Sequence, residues 1–147
     1  MQENLGNPGD ETHIKRSDSE ISILCVEDDT TSREFLRMLI SMKFPDGKIH
    51  TAHHGQAGLD VFRECQADIV VTDINMPVMD GIRMAREIRI LNPNACIIGI
   101  SAYADMGEPE EVDRIFNCCM QKPVGRKQLC DALDDCVAWI NGGNINS

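Results

Sequence analysis

The chain has 147 residues, 42% of them hydrophobic, and 24 acidic against 14 basic side chains give it a formal charge of −10. That length and apolar share suit one soluble domain. The charge argues against direct contact with nucleic acid, whose affinity for proteins comes largely from Lys and Arg displacing counterions. The first twenty residues hold no apolar run that would make a signal peptide, and no later run reaches bilayer length, so a cytoplasmic protein without membrane contact is expected. Seven cysteines, Cys25, Cys65, Cys96, Cys118, Cys119, Cys130 and Cys136, lie mostly in apolar stretches without a C-x-x-C pair. They read as reduced thiols packing as small hydrophobes.

Residues 1–19 are polar, with Asn7-Pro8-Gly9-Asp10, and read as a flexible leader. The folded domain is expected over 20–140, with 141–147 a flexible tail. Ile21 to Val26 is a first strand. Thr31, three residues before Glu34, suggests a capping box, with Phe35, Leu36, Leu39 and Met42 on the apolar side of the helix that follows. Pro45-Asp46-Gly47 closes it. Lys48 to Ala52 reads as strand two; Leu59, Phe62 and Cys65 mark helix two, and Asp68 to Thr72 strand three. Gly81 opens a third helix with Ile82, Ala85, Ile88 and Leu91 inward. Asn92-Pro93-Asn94 precedes a strand from Cys96 to Ile100.

Pro109 suits the first turn of a fourth helix whose Val112, Ile115 and Phe116 share a face, and Cys118 to Met120 is a short fifth strand. The last helix starts near Gly125, with Leu129, Leu133, Cys136, Val137 and Ile140 inward and Asp131, Asp134 and Asp135 outward. Alternating strands and helices imply right-handed crossovers: an α/β fold, (βα)5, with a doubly wound five-stranded parallel sheet covered on both faces. Ligands of such sheets bind beyond the carboxyl ends of the strands.

Polar residues end four of the apolar runs: Glu27 and Asp28, Asp73, Ser101, and Lys122. Taken singly, the acids read equally as helix caps, Ser101 as a loop hydroxyl and Lys122 as a surface cation. Together at one sheet edge they describe a phosphoryl-transfer site. Glu27, Asp28 and Asp73 would repel one another without a cation between them, and hard oxygen ligands at an open site favour Mg²⁺ or Mn²⁺. A carboxylate beside such a metal is a nucleophile for phosphorus, with Ser101 and Lys122 as donors to the transferred group.

Val26-Glu27-Asp28-Asp29, Asp73-Ile74-Asn75-Met76-Pro77-Val78-Met79-Asp80-Gly81, Ser101-Ala102 and Lys122-Pro123 resemble the receiver domain of two-component response regulators, a flavodoxin-like fold, over about residues 20 to 140. The resemblance implies that Asp73 takes a phosphoryl group from a histidine of a sensor kinase or phosphotransfer protein. It implies Mg²⁺ on Glu27, Asp28, Asp73 and the Asn75 backbone carbonyl. Ser101 would bond the phosphoryl oxygen and swing inward, Lys122 would pair with the acyl phosphate, and Lys122-Pro123 would be a cis peptide. Asn75 and Tyr103 match the variable positions that tune phosphate lifetime in the family.

Two departures stand out. Cys119 occupies the position where many receivers carry an aromatic switch, and Ile115-Phe116-Asn117 replaces Ala-Gly-Ala. Tyr103 or Phe116 is a candidate substitute for the missing ring. His53 and His54 read as exposed loop residues. Met76 and Met79 are read either as a partner-facing pair or as loop packing.

The leading expectation is a phosphorylation-operated interaction module that binds an output protein, with dimerisation left open and no separate output domain. It is no enzyme beyond its own phosphorylation and dephosphorylation. A receiver-like scaffold that is never phosphorylated is a second reading. A Mg²⁺-dependent phosphohydrolase is a third, weakened by Asn75 where a second acid is often needed.

Overall fold

The computed structural model describes residues 21–76, 79–102 and 109–142. Five strands alternate with five helices: β1 (Ser22–Val26), α1 (Thr30–Lys43), β2 (Lys48–Ala52), α2 (Gly55–Cys65), β3 (Ile69–Asp73), α3 (Gly81–Leu91), β4 (Cys96–Ser101), α4 (Pro109–Ile115), β5 (Cys118–Gln121) and α5 (Arg126–Ile140). The strands form one parallel sheet in the order β2-β1-β3-β4-β5. The order reverses at β1, which pairs with β2 on one side and β3 on the other, so a crevice opens beyond their carboxyl ends.

Both faces of the sheet are covered, which is why the central strands are apolar throughout rather than alternating. Leu24, Val26, Val70 and Ile97 pack under α2, α3 and α4 with Phe62, Met84, Ile88 and Ile115. Ile23, Cys25, Val71 and Ile98 pack under α1 and α5 with Leu36, Ile40, Leu129 and Leu133.

Several details differ from the sequence reading. The cap of α1 is Asp29, whose carboxylate accepts from the Ser32 N–H at 2.8 Å, and not a Thr31–Glu34 box. The buried stripe of α1 is Leu36, Leu39 and Ile40, which turns Phe35 and Met42 to its flank, about half exposed. Leu91, at the end of α3, is also half exposed; it borders an open groove with Phe62, Arg63 and Gln66, where α2 offers polar side chains. The third, fourth and fifth strands each run one residue further than read, to Asp73, Ser101 and Gln121.

The expectation of reduced cysteines fails for two of the seven. Cys96 opens β4 and Cys136 points inward from α5, so they meet in the same core layer with Cα atoms 5.7 Å apart and form a disulfide. Cys25, Cys65, Cys118, Cys119 and Cys130 are free. Tyr103, the leader 1–19 and residues 143–147 of the tail lie outside the described residues.

Candidate functional site

Four strand ends deliver the polar side chains, Ser101 being the last residue of β4. Glu27 follows β1 and continues the ladder, its N–H donating to Ala52 O at 3.1 Å. Asp73 closes β3, and the next residue, Ile74, donates its N–H to Ile100 O on β4 at 2.7 Å. Lys122 follows β5, its N–H donating to Ser101 O at 2.7 Å. Pairing thus fixes the backbone of each residue before its side chain makes any contact.

The sharp turn after Asp73 depends on Gly81. A Cβ there would stand 2.3 Å from Asp73 O and 2.7 Å from Ile74 Cα, so α3 starts hard against the backbone that carries Asp73. Asp80 caps that helix through the Arg83 N–H at 2.8 Å. Gly55 meets a similar constraint, since a Cβ would lie 2.3 Å from Met79 O. Met76 and Met79 are both buried. Of their two readings, loop packing is the one observed.

Glu27 is 1% exposed and Asp73 is 5% exposed, whereas Asp28 faces solvent. Ligand oxygens of the three acids lie within 4.8 Å of one another. Lys122 Nζ bridges the two buried members, 2.9 Å from Glu27 Oε1 and 3.2 Å from Asp73 Oδ2. Burial raises the pKa of the Glu27 carboxyl, opposed by the Asp29 N–H and the Lys122 ammonium, while the charge of Asp73 adds to the rise. Burial opposes the charge of Lys122, but its bonds and charge pairing with Glu27 and Asp73 outweigh that and raise its pKa.

Asn75 touches both remaining groups. Its N–H donates to Asp73 Oδ1 at 3.1 Å, and its side-chain Oδ1 accepts from Ser101 Oγ at 2.7 Å. Ser101 is fully buried at the end of β4. The structure therefore gathers Glu27, Asp28, Asp73, Asn75, Ser101 and Lys122 into one cluster beyond the sheet, with a carboxylate, a cation and a hydroxyl around an open acidic edge. The donor set, three carboxylates of which one faces water, fits a hard divalent cation that keeps part of its hydration. The Lys122–Pro123 bond is cis.

Sequence reasoning passed over several supporting residues. Arg33, on the first turn of α1, donates to Glu27 O at 2.9 Å and steadies the acidic loop from behind. His54, read from the sequence as an exposed loop residue, is instead the partly buried cap of α2: its Nδ1 accepts from the Ala57 N–H at 3.0 Å. The position directly before the helical run was the available signal, masked because His is an uncommon cap. Arg89 donates to Pro93 O, Ala95 O, Ile115 O and Asn117 Oδ1, tying α3 to the end of α4, and nothing in its local pattern marks it.

A model of the response regulator receiver domain matches residues 23–134. The sensor histidine kinase RcsC of Escherichia coli is 34% identical over 107 residues, which are 71% of this chain and 11% of that protein. The two-component response regulator ARR22 of Arabidopsis thaliana is 27% identical over 113 residues, 74% of this chain and 78% of that one. The chain spans 15% of the autoinducer 1 sensor kinase/phosphatase LuxN of Vibrio campbellii, so it corresponds to a small part of the kinases it matches. The crystal structure of a receiver domain protein from Clostridium thermocellum aligns with a TM-score of 0.74 at 24% identity, covering 81% of this chain and 95% of that one. With five parallel strands, the switch-point crevice and the acidic cluster in place, the chain belongs to the response regulator receiver family and is a receiver domain of the kind used in two-component signalling.

Proposed function

We propose that Asp73 is the phosphoacceptor, taking a phosphoryl group from a phosphohistidine on a sensor histidine kinase or histidine phosphotransfer protein. The phosphorus–nitrogen bond of the donor breaks, a bond to an Asp73 carboxylate oxygen forms, and the histidine leaves with the electron pair and takes up a proton. The observation that carries this reading is the Lys122 ammonium held within 3.2 Å of a buried carboxylate that ends a central strand. A cation already in that place is available to neutralise charge on the transferring group.

Glu27, Asp28, Asp73 and the Asn75 backbone carbonyl would hold Mg²⁺, or Mn²⁺, which when bound supplies charge neutralisation to the phosphoryl oxygens. Ser101 then exchanges its bond to Asn75 for one to a phosphoryl oxygen, and Lys122 shifts its pairing towards the acyl phosphate. Adding charge beside a movable hydroxyl biases a two-state element, and the readout is altered binding of an output protein. The domain comprises residues 20–140, works in the cytoplasm, where the kinase draws on ATP, and catalyses at most its own phosphorylation and dephosphorylation. No helix among the described residues is long and apolar enough to cross a membrane.

Intact mass after incubation with acetyl phosphate and Mg²⁺ tests the assignment. A metal-dependent gain of one phosphate in the wild type, absent in Asp73→Asn, is expected. Equal loading of Asp73→Asn overturns it. If the wild type takes no phosphate from acetyl phosphate, a phosphohistidine donor is the retest, and failure with both donors favours the unphosphorylated scaffold.

A further inference from the structure

We propose that Cys96 and Cys136 form a reversible redox site: the oxidised chain carries a disulfide that staples α5 to the start of β4, and a thiol reductant releases it. The two residues sit in one core layer, 5.7 Å apart at Cα, and are bridged although 40 positions separate them in sequence. Their Cα separation falls within the range that accommodates a bridge without backbone movement. Both are 2% exposed.

The loop this bridge closes contains Ser101, α4, β5 and Lys122. It also ends within one helical turn of Trp139, whose Nε1 donates to Asn94 O at 3.1 Å, a second tie between α5 and the entrance of β4. The Lys43–Asp134 ion pair ties the same helix to α1. The bridge therefore constrains the half of the fold that carries the hydroxyl and the lysine of the site. That these two residues form a switch rests on the proposed function; the bridge itself does not.

Burial pushes Cys25 up to about 12 and Cys119 up to about 11, and it also raises Cys65 and Cys118. What sets Cys96 and Cys136 apart from them is proximity, since these two alone are bridged among the described residues. Oxidation proceeds by thiol–disulfide exchange with a low-molecular-weight disulfide such as glutathione disulfide. One cysteine thiolate attacks the reagent and breaks its sulfur–sulfur bond, expelling one thiol; the second cysteine attacks the mixed disulfide and expels the other. Two electrons pass from the cysteine pair to the reagent, and the two cysteine protons end on the released thiols. Because both sulfurs are buried, exchange requires α5 to lift.

The full chain, equilibrated at neutral pH with oxidised glutathione or with dithiothreitol, is unfolded in N-ethylmaleimide and weighed. Five blocked thiols after oxidation and seven after reduction are expected, with a peptide map joining Cys96 to Cys136. Closing a loop of this size predicts that reduction lowers Tm by about 10 °C. Trp139, the one tryptophan of the chain, should change its fluorescence, and amides between the two cysteines should exchange faster. Seven blocked thiols after oxidation, or a bridge between any other pair, overturns the proposal. So does a reductant-induced fall in Tm that persists in Cys96→Ala/Cys136→Ala; should that variant not fold, the wild-type thiol count decides. None of these readouts involves phosphoryl transfer, so failure here and failure of Asp73 to accept phosphate are distinguishable.

Discussion

Replacing Lys122 by methionine keeps most of the side-chain volume and removes the one charge that bridges two buried carboxylates. At an effective dielectric constant of about 20, the contacts at 2.9 and 3.2 Å are each worth about 5–6 kcal/mol before desolvation is counted. Removing one partner of a buried pair costs about 3–5 kcal/mol, and the 29% exposure of the Lys122 side chain puts this case at the lower end, about 3 kcal/mol at pH 7. The loss should also depend on pH. Burial already raises the Glu27 pKa above its ordinary 4.5, with the Asp29 N–H and Lys122 pulling it down and Asp73 pushing it up. A raised folded-state pKa means that the folded chain holds the proton more tightly, so this group favours folding most at pH values below 4.5 and costs stability as pH rises through the folded value. Without Lys122 that folded value rises further, and the penalty at pH 7 should shrink by up to about 1.4 kcal/mol per pH unit on acidification until Glu27 is protonated. Urea unfolding of wild type and Lys122→Met in EDTA at pH 7 and pH 5 measures both effects. Saturating Mg²⁺, worth about 2.7 kcal/mol at 100 times its Kd, should recover most of the loss. A loss below about 1 kcal/mol at both pH values would refute the view that the lysine compensates buried charge.

Other substitutions probe the frame. Gly81→Ala puts a methyl group 2.3 Å from Asp73 O, against backbone that has no room to yield, and should cost about 3 kcal/mol in urea unfolding and lower phosphate loading from acetyl phosphate; unchanged values would show that α3 shifts freely. His54→Ala should cost about 1 kcal/mol by loss of the α2 cap, while His54→Asn, a better capping residue, should be near neutral; equal losses in urea unfolding would assign His54 a packing role instead. Burial raises the Cys25 thiol from 9.0 to about 12, so its contribution to stability is complete below pH 9.0 and is lost between pH 9.0 and about 12 at about 1.4 kcal/mol per pH unit. Cys25→Ala should therefore have a flatter alkaline limb in urea midpoints measured from pH 8.5 to about 10.5; parallel limbs would contradict that.

The strands and the residues at their ends were legible because central parallel strands are uninterrupted apolar runs, and the site residues lie at or within two residues of their ends. What escaped the sequence was set by neighbours in space. Asp29 rather than Thr31 caps α1 because the helix begins two residues earlier, and two acids before it concealed its role. Phe35 and Met42 satisfy a helical period as well as Leu36 and Ile40 do, and only the position of the sheet decides which arc is covered. The Cys96–Cys136 pair shares no local pattern; it follows from α5 lying against the opening of β4.

The same distinction bears on the departures at residues 115–119. Gly99 leaves room on β4 that a larger residue fills from the neighbouring segment: a Cβ on Gly99 would lie 2.9 Å from Ile74 Cδ1 and 3.0 Å from the Phe116 ring. Phe116, 5% exposed, thus shares one small space with the residue that follows Asp73, on the face of the sheet that α4 covers. Arg89 holds the flanking Ile115 O at 2.5 Å and Asn117 Oδ1 at 3.0 Å, and Asn117 Oδ1 also accepts from the Ile97 N–H at 2.8 Å. The buried Phe116 ring and the Arg89 guanidinium together anchor the Ile115-Phe116-Asn117 junction. Ile74, next to Asp73, and Phe116, just past α4, thus line the same space over Gly99 on the face that α4 covers.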